Sequence, residues 1–162
     1  QQLICKEEVL KRNLPCENIS ALLLAGEADV LSILKSGYIS EFEVKVSRSD
    51  FLVDKKKSKW VHYEHKEVNR IPNYFSYVCP DGMIQVDEVQ QFAGLYYAVD
   101  GFLKEIKRPK IVHRHKHDLQ KLLTKFCRMK SEREYLGSCF MTYRNKEIQE
   151  RNRRLLEKQK TF

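Results

Sequence analysis

The residues that could perform chemistry lie on two neighbouring apolar segments of the chain. Asp29 follows Ala28 in the first segment, and Glu43 and Lys45 lie two residues apart in the second. Residues two apart in a β-strand share one face, so Glu43 and Lys45 are predicted to lie side by side. Two acids and a lysine on one patch suit a Mg²⁺ or Mn²⁺ site that hydrolyses phosphodiesters. The metal would activate a water, and the lysine would orient that water or stabilise charge on the phosphate.

A β-hairpin is predicted to bring these groups together. Lys35-Ser36-Gly37 supplies the turn, because its glycine tolerates a positive φ. A three-residue turn pairs Leu34 with Tyr38 and, counting outward, Asp29 with Glu43. Directly opposed residues have Cβ atoms about 5 Å apart, and two carboxylates at that distance repel unless a cation lies between them.

The same pattern also suits a solvated sheet face on which Glu43 and Lys45 form an ordinary salt bridge. Alternating glutamate and lysine is common on exposed strands, and Glu-x-Lys alone has little specificity. The joint pattern of an acidic residue, a hairpin, Glu-x-Lys and a basic loop favours the catalytic interpretation.

Two longer motifs around these residues resemble the core of the PD-(D/E)XK nucleases. They are Glu27-Ala28-Asp29-Val30-Leu31 and Glu43-Val44-Lys45-Val46-Ser47-Arg48-Ser49-Asp50-Phe51. More narrowly, they are similar to the MmcB-like group, proposed to be DNA-repair nucleases, and to related phage proteins. Further segments match the same group over about residues 3–130, namely Lys59-Trp60, Tyr74–Val78, Pro80-Asp81-Gly82 and Gly94-Leu95-Tyr96. Ala28 stands where the family motif has proline.

The resemblance implies a fold, an activity and a set of site residues. The fold would be α/β with a restriction-endonuclease-like core, a central mixed sheet of four or five strands flanked by helices. The activity would be Mg²⁺- or Mn²⁺-dependent endonucleolytic hydrolysis of DNA in repair, recombination or phage DNA processing. Asp29 and Glu43 would bind the metal with the Val44 carbonyl as a third ligand, and Lys45 would be the catalytic lysine.

Such folds often add a glutamate from the first helix, which is predicted here over residues 3–14 and near the hairpin. Glu7 fits this role better than Glu8, because it shares a helical stripe with Leu3 and Leu10. A carboxylate on an apolar stripe points inward and requires a partner. A Glu7 that reaches solvent from the edge of the stripe is an equal alternative.

Residues downstream of the second segment are candidate contacts to a DNA backbone, which need no base recognition and depend strongly on salt. They are Ser47, Arg48, Lys55, Lys56, Lys57 and Lys59, although the lysines suit a solvated loop equally well. Ser49 is predicted to cap the following helix, and Asp50 to cap it or to pair with Arg48.

Three histidines, His113, His115 and His117, alternate with the basic residues Arg114 and Lys116. Histidine is a common metal ligand, but no acidic or cysteine partner lies at zinc-site spacing. A basic segment near DNA is therefore favoured over a metal site.

The remaining elements follow from periodicity. Strands are predicted at residues 28–34, 39–46, 74–78, 94–99 and 101–107, and helical spacing returns from about residue 118. Residues 1–140 are predicted to form the nuclease-like domain. Residues 141–162 hold seven basic and three acidic residues, which predicts a basic helical tail that projects or binds a partner.

The whole chain is basic, with 30 Lys and Arg against 22 Asp and Glu and a net charge of +8, which indicates DNA as a polyanionic partner. No apolar run approaches the roughly 18 residues of a membrane span. No signal peptide is apparent, and five scattered cysteines without a C-x-x-C pair predict reduced thiols in a cytoplasm, bacterial or that of a phage host.

Three questions stay open at this point. A homodimer would help to cut both DNA strands, but no residue pattern demonstrates one. A module of the same fold could bind nucleic acid with little or no cleavage. An adaptor protein whose basic tail binds a protein or RNA is the remaining alternative.

Overall fold

The computed structural model describes residues 1–20, 27–135 and 137. The chain divides into two compact units, residues 1–118 and 119–162. The elements of the first unit are α1 (Gln2–Leu10), β1 (Leu14–Ser20), β2 (Glu27–Ile33), β3 (Ile39–Val44), α2 (Arg48–Asp54), α3 (Lys59–Glu64), β4 (Tyr74–Pro80), a 3₁₀ turn (Val86–Glu88), β5 (Gly94–Val99) and β6 (Phe102–Lys107). In the second unit, residues 119–135 are helical, as their periodicity predicts. The predicted basic tail lies outside the described residues.

In the described part of the chain, six strands form one mixed sheet in the order β1-β2-β3-β4-β5-β6. The β1–β2, β2–β3 and β5–β6 pairs are antiparallel, whereas β3–β4 and β4–β5 are parallel. The predicted α/β class and mixed sheet are therefore confirmed, but the sheet has six strands rather than four or five.

The strand that sequence analysis missed is β1. Its Pro15 is read from sequence as the stop of a helix over residues 3–14, but α1 ends at Leu10 and Pro15 pairs with Ser32. Between the two elements, Arg12 takes a positive φ of 61° and turns the chain. The proline is tolerated because β1 lies at the edge of the sheet, where its missing N–H can face away from the ladder.

Helices cover both faces of the sheet. α1 contacts β1, β2 and β6, and its Ile4 joins the apolar cluster on the face that carries Phe42. α2 and α3 cover the other face, where Phe51 and Trp60 contact Tyr77. Because side chains alternate along a strand, the odd-numbered residues of β3 point to this second face.

The predicted hairpin is confirmed in the pairing of β2 with β3. The Leu34 N–H donates to the Tyr38 carbonyl at 2.8 Å, and Gly37 has a φ of 77° in the turn. The register then continues to the pair Val30–Phe42. A local turn signal was sufficient to define this part of the sheet.

Later elements lie close to their predicted positions, with β4, β5 and β6 at the three predicted strands. The cap of α2 differs from the prediction: its N-cap is Ser47 rather than Ser49, because the helix already begins at Arg48. The Ser47 hydroxyl accepts the Asp50 N–H at 3.2 Å. Of the helices that the structure describes, none has the length and apolar character needed to cross a membrane.

Candidate functional site

The charged residues that the sequence singles out lie on one buried face of β3 and just after it. Glu41, Glu43 and Lys45 are only 6%, 4% and 2% exposed. The interpretation as a solvated sheet face is therefore wrong. Buried charges require partners, because an unpaired ion in a protein interior costs several kcal/mol or neutralises.

Three ammonium groups are held between two buried carboxylates, an arrangement that we call the lysine–carboxylate cluster (Glu43, Lys45, Asp54, Lys57 and Lys59). The Nζ atoms of Lys45 and Lys57 lie 2.8 and 3.2 Å from Glu43 Oε1, and Lys59 Nζ lies 3.1 Å from Glu43 Oε2. The same three nitrogen atoms lie 3.2, 2.9 and 3.3 Å from Asp54 Oδ1. Each lysine thus bridges both carboxylates, and both Glu43 oxygens contact ammonium groups.

Asp54 is the member of the cluster that sequence analysis missed. Its side chain is fully buried, the Tyr77 hydroxyl donates to its Oδ2 at 2.9 Å, and Trp60 Nε1 donates to its backbone oxygen at 2.7 Å. Burial raises the pKa of the Asp54 carboxyl, but the lysines of the cluster, Lys59 foremost, outweigh burial and hold that pKa well below its ordinary value. Helical spacing gives a signal for this residue, because Phe51 and Asp54 are three apart on the buried face of α2.

The cluster keeps Lys45 and Lys57 protonated. Burial lowers the pKa of Lys45, but the hydrogen bond and charge of Glu43, together with the charge of Asp54, outweigh burial and raise it. Burial also lowers the pKa of Lys57, but the hydrogen bonds and charges of Asp54 and Glu43 outweigh burial and raise that pKa. A permanently cationic lysine can stabilise charge on a phosphate or orient a water, but it cannot act as a general base near neutral pH.

Glu41 adjoins the cluster without belonging to it. Burial raises the pKa of Glu41 to about 7 against the opposing charge of Lys59, and the charge of Glu43 adds to the rise. The Tyr63 hydroxyl of α3 is buried and has no hydrogen-bond partner among the described residues. Burial and then the charge of Glu41 raise the pKa of that hydroxyl. Near neutral pH, much of Glu41 is therefore uncharged.

Asp29 lies at the end of the β2–β3 pairing. The last bridged pair of these strands is Val30–Phe42, and Asp29 and Glu43 are the next residues beyond it. The Asp29 Oδ2 accepts the Val44 N–H at 2.7 Å, and its Oδ1 accepts Gln1 Nε2 at 3.2 Å. The half-buried carboxylate lines a surface cavity of about 600 Å³ beside α1. Glu43 and Lys45 thus form a direct ion pair, and Asp29 accepts a hydrogen bond from the backbone of Val44, the residue between them.

The carboxylate and carbonyl oxygens at this end of β3 are donor types that a hard divalent cation prefers. Mg²⁺ commonly binds through one or two carboxylates and keeps several waters, and Asp29, Glu43 and the Val44 carbonyl would meet that need. Within residues 1–20, 27–135 and 137, no three His, Cys, Asp or Glu side chains form a ready metal-binding group. Both oxygens of Glu43 already contact lysine ammonium groups, so a cation at Glu43 must displace at least one of them.

The inward-facing glutamate of α1 is Glu8 and not the predicted Glu7. Glu8 is 3% exposed, and its Oε2 accepts the Ser32 hydroxyl at 2.8 Å. The predicted stripe is wrong because the buried face of α1 runs through Ile4 and Glu8, four residues apart. Ser32 belongs to the sheet face that α1 covers, so Glu8 and Glu43 lie on opposite faces of the sheet.

The lysines predicted to contact DNA differ in accessibility. Lys55 and Lys56 are exposed, as a phosphate contact requires. Lys57 has a side chain that is 47% exposed, although its ammonium belongs to the cluster. Lys59 is 8% exposed and bonded inside the cluster, so the prediction of a direct DNA contact is wrong for this residue.

The two other predicted DNA contacts have structural partners. Arg48 forms a two-pronged ion pair with Glu88, so the predicted pairing of Arg48 with Asp50 is wrong. Asp50 instead lies 3.7 Å from Lys45 Nζ. Ser47 caps α2 through its hydroxyl oxygen.

The rings of His113, His115 and His117 lie together, with centroids 5.5 to 6.3 Å apart. Asn73 Nδ2 donates to the carbonyls of His113 and His115 at 3.0 and 2.9 Å, and His113 Nε2 lies 3.0 Å from the Ile71 oxygen. These contacts tie the segment to the loop before β4. The three side chains do not form a metal-binding group in the described part of the chain.

Comparison with known proteins bears on the fold. No protein-family model and no curated protein sequence matches the chain significantly. Among solved structures, the chain is similar to the SPO1766 protein of unknown function from Silicibacter pomeroyi, with a TM-score of 0.58 and 16% sequence identity. The match covers 80% of this chain and 82% of the other. At this level of identity, the likeness shows a shared fold alone.

Proposed function

We propose that this chain is a divalent-metal-dependent nuclease of the PD-(D/E)XK type that cleaves DNA phosphodiesters in repair, recombination or phage DNA processing. One observation carries the proposal: Glu43 contacts Lys45 at 2.8 Å, and the Asp29 carboxylate accepts the N–H of Val44, the residue between them, at 2.7 Å. A mixed sheet with helices on both faces is compatible with a restriction-endonuclease-like core.

Each residue has a role in this proposal. Asp29, Glu43 and the Val44 carbonyl would hold Mg²⁺ or Mn²⁺, which polarises a phosphoryl oxygen and lowers the pKa of a bound water. Lys45 stays cationic and would stabilise the negative charge that develops on the phosphate. Asp54 is a positioning residue, because its carboxylate also contacts the Lys45 ammonium, at 3.2 Å.

Nicking of plasmid DNA at pH 7 with Mg²⁺ or Mn²⁺ tests the proposal. The Glu43→Gln variant loses a metal ligand, and we expect its cleavage rate to fall about 100-fold or more. Glu41→Gln is the matched control, because it makes the same glutamate-to-glutamine change on the same face of β3. With a pKa of about 7, Glu41 is already partly in the neutral form that glutamine mimics, so we expect cleavage to persist. Undiminished cleavage by Glu43→Gln would contradict the proposal.

A second function, nucleic-acid binding without cleavage, is favoured by the contacts of Glu43. Both of its carboxylate oxygens already contact lysine ammonium groups, which satisfies the site without a metal. Fluorescence anisotropy with labelled DNA measures binding separately from nicking. Binding that persists with no cleavage in either metal would support this second function over the first.

A further inference from the structure

We propose that Lys57 competes with the divalent cation for Glu43, and that metal binding releases the Lys57 ammonium to the phosphate backbone of a nucleic acid. This inference rests on the proposed nuclease function and assigns a regulatory contact to the same site. It starts from the ion pairs of the lysine–carboxylate cluster.

The contacts of Glu43 require a displacement. Three ammonium groups lie against Glu43 and Asp54, and Asp50 supplies a third carboxylate at 3.7 Å from Lys45. Both carboxylate oxygens of Glu43 are thus already occupied by ammonium groups before any metal arrives. A doubly charged cation on Glu43 would lie beside like charges in a poorly screened interior, where such repulsion is large. At least one ammonium must therefore leave.

Exposure and packing decide which lysine leaves. The side chains of Lys45 and Lys59 are 2% and 8% exposed, whereas that of Lys57 is 47% exposed. The Lys59 ammonium also lies 4.8 and 5.0 Å from the ring centres of Trp60 and Phe75, which hold it in place. Lys57 lies in the short connection between α2 and α3 and can rotate outward without disturbing a helix.

A released Lys57 would join an existing basic strip. Lys55 and Lys56 precede it in the same connection and are both exposed. The third ammonium would add one phosphate contact beside the metal-bearing end of β3. Because coupling between two ligands is reciprocal, metal would raise the affinity for nucleic acid and nucleic acid would raise the affinity for metal.

Mn²⁺ titration of the full chain, followed by electron paramagnetic resonance, tests the competition. Methionine removes the lysine charge at similar length, so Lys57→Met and Lys56→Met form a matched pair. We expect Lys57→Met to bind Mn²⁺ about tenfold more tightly than wild type, because a cationic competitor of the metal is lost. Lys56→Met makes the same change in net charge on an exposed side chain and should bind as wild type. Equal or weaker Mn²⁺ binding by Lys57→Met overturns the inference.

A second measurement uses the wild-type chain. Acetylation of lysines, quantified by mass spectrometry, should become faster at Lys57 on addition of Mn²⁺ and stay unchanged at Lys56. A Lys57 rate that does not rise also overturns the competition. If the wild-type chain binds Mn²⁺ but Lys57→Met does not bind it more tightly and Lys57 acetylation does not become faster, only the proposed competition is rejected. If wild type binds no Mn²⁺, the nuclease proposal fails with it.

Discussion

Glu41 and Glu43 are chemically identical and share one strand face, yet their surroundings give them different properties. Three lysines donate to Glu43, whereas burial raises the pKa of Glu41 to about 7. The nearby ammonium of Lys59 is bonded to Glu43 and only partly offsets that burial. A carboxyl whose pKa rises on folding destabilises the folded state once the pH exceeds its unfolded pKa.

Replacement of Glu41 with glutamine should therefore stabilise the protein at alkaline pH. The unfolded chain releases this proton near pH 4.5, whereas the folded chain keeps it until about pH 7, so wild-type stability falls across that window. We expect Glu41→Gln to exceed wild type by about 3 kcal/mol at pH 8 and to equal it near pH 4. Urea denaturation at several pH values measures the difference. A constant difference across the series would contradict the assignment.

At the scale of residues, the sequence predicts the part of the site that depends on local spacing. Glu43 and Lys45 are neighbours because strand geometry places every second residue on one face. Lys57 and Lys59 reach Glu43, and Asp54 reaches the three lysines, only through the packing of α2 and α3 on the sheet. That packing depends on contacts between distant segments, which no local pattern specifies.

Among the elements, α2 has the most direct effect on the site, because Asp54 is its last residue. The helix is fixed at its start by Ser47, whose hydroxyl accepts the Asp50 N–H. It is fixed along its buried face by Phe51, which packs against Tyr77 with ring centroids 5.2 Å apart. Displacement of α2 would move a carboxylate that contacts all three lysines.

Loss of the Ser47 cap should loosen α2. We expect Ser47→Ala to lower the free energy of unfolding by about 1 kcal/mol, because the first turn loses its side-chain acceptor. Ser49→Ala lies inside the helix and should cost less, since alanine has the higher helix propensity. Urea denaturation of both variants measures the comparison. A larger loss for Ser49→Ala would indicate that the helix begins later than Arg48.

The elements also differ in how far the sequence predicts them. The hairpin of β2 and β3 follows from turn chemistry at Gly37, which acts within a few residues. β1 was missed because Pro15 ends helices and disfavours interior strands, and nothing local marks an edge strand. The α1 face was misread because leucines at helical spacing outnumbered the buried pair Ile4 and Glu8.

At the scale of the whole molecule, charge is the feature that composition predicts most directly. The net charge is +8, and residues 141–162 carry seven basic and three acidic residues. Half of the net charge thus belongs to a segment outside the described residues. In the described part, Lys59 and Arg48 are engaged with carboxylates, so the tail is a strong candidate for backbone contacts.

Replacing Arg151, Arg153 and Arg154 with glutamine should therefore weaken the salt dependence of DNA binding. Each phosphate contact contributes about 0.9 to the slope of log affinity against log salt on duplex DNA. We expect the slope to fall by up to about three for the triple variant. The fall should be the same for DNAs of different sequence, because backbone contacts do not read bases. Anisotropy titrations across a salt series measure it. An unchanged slope would remove the tail from the interface.

The spatial order of the strands repeats their order in the sequence. A ribosome therefore delivers each strand next to a partner that has already emerged, and the growing sheet never waits for a distant carboxy-terminal strand. The residues that surround Glu43 are complete once Tyr77 has been synthesised. Nascent chains can accordingly close the charged interior before β5 and β6 emerge from the ribosome, and those two strands then cover the otherwise unpaired edge of β4.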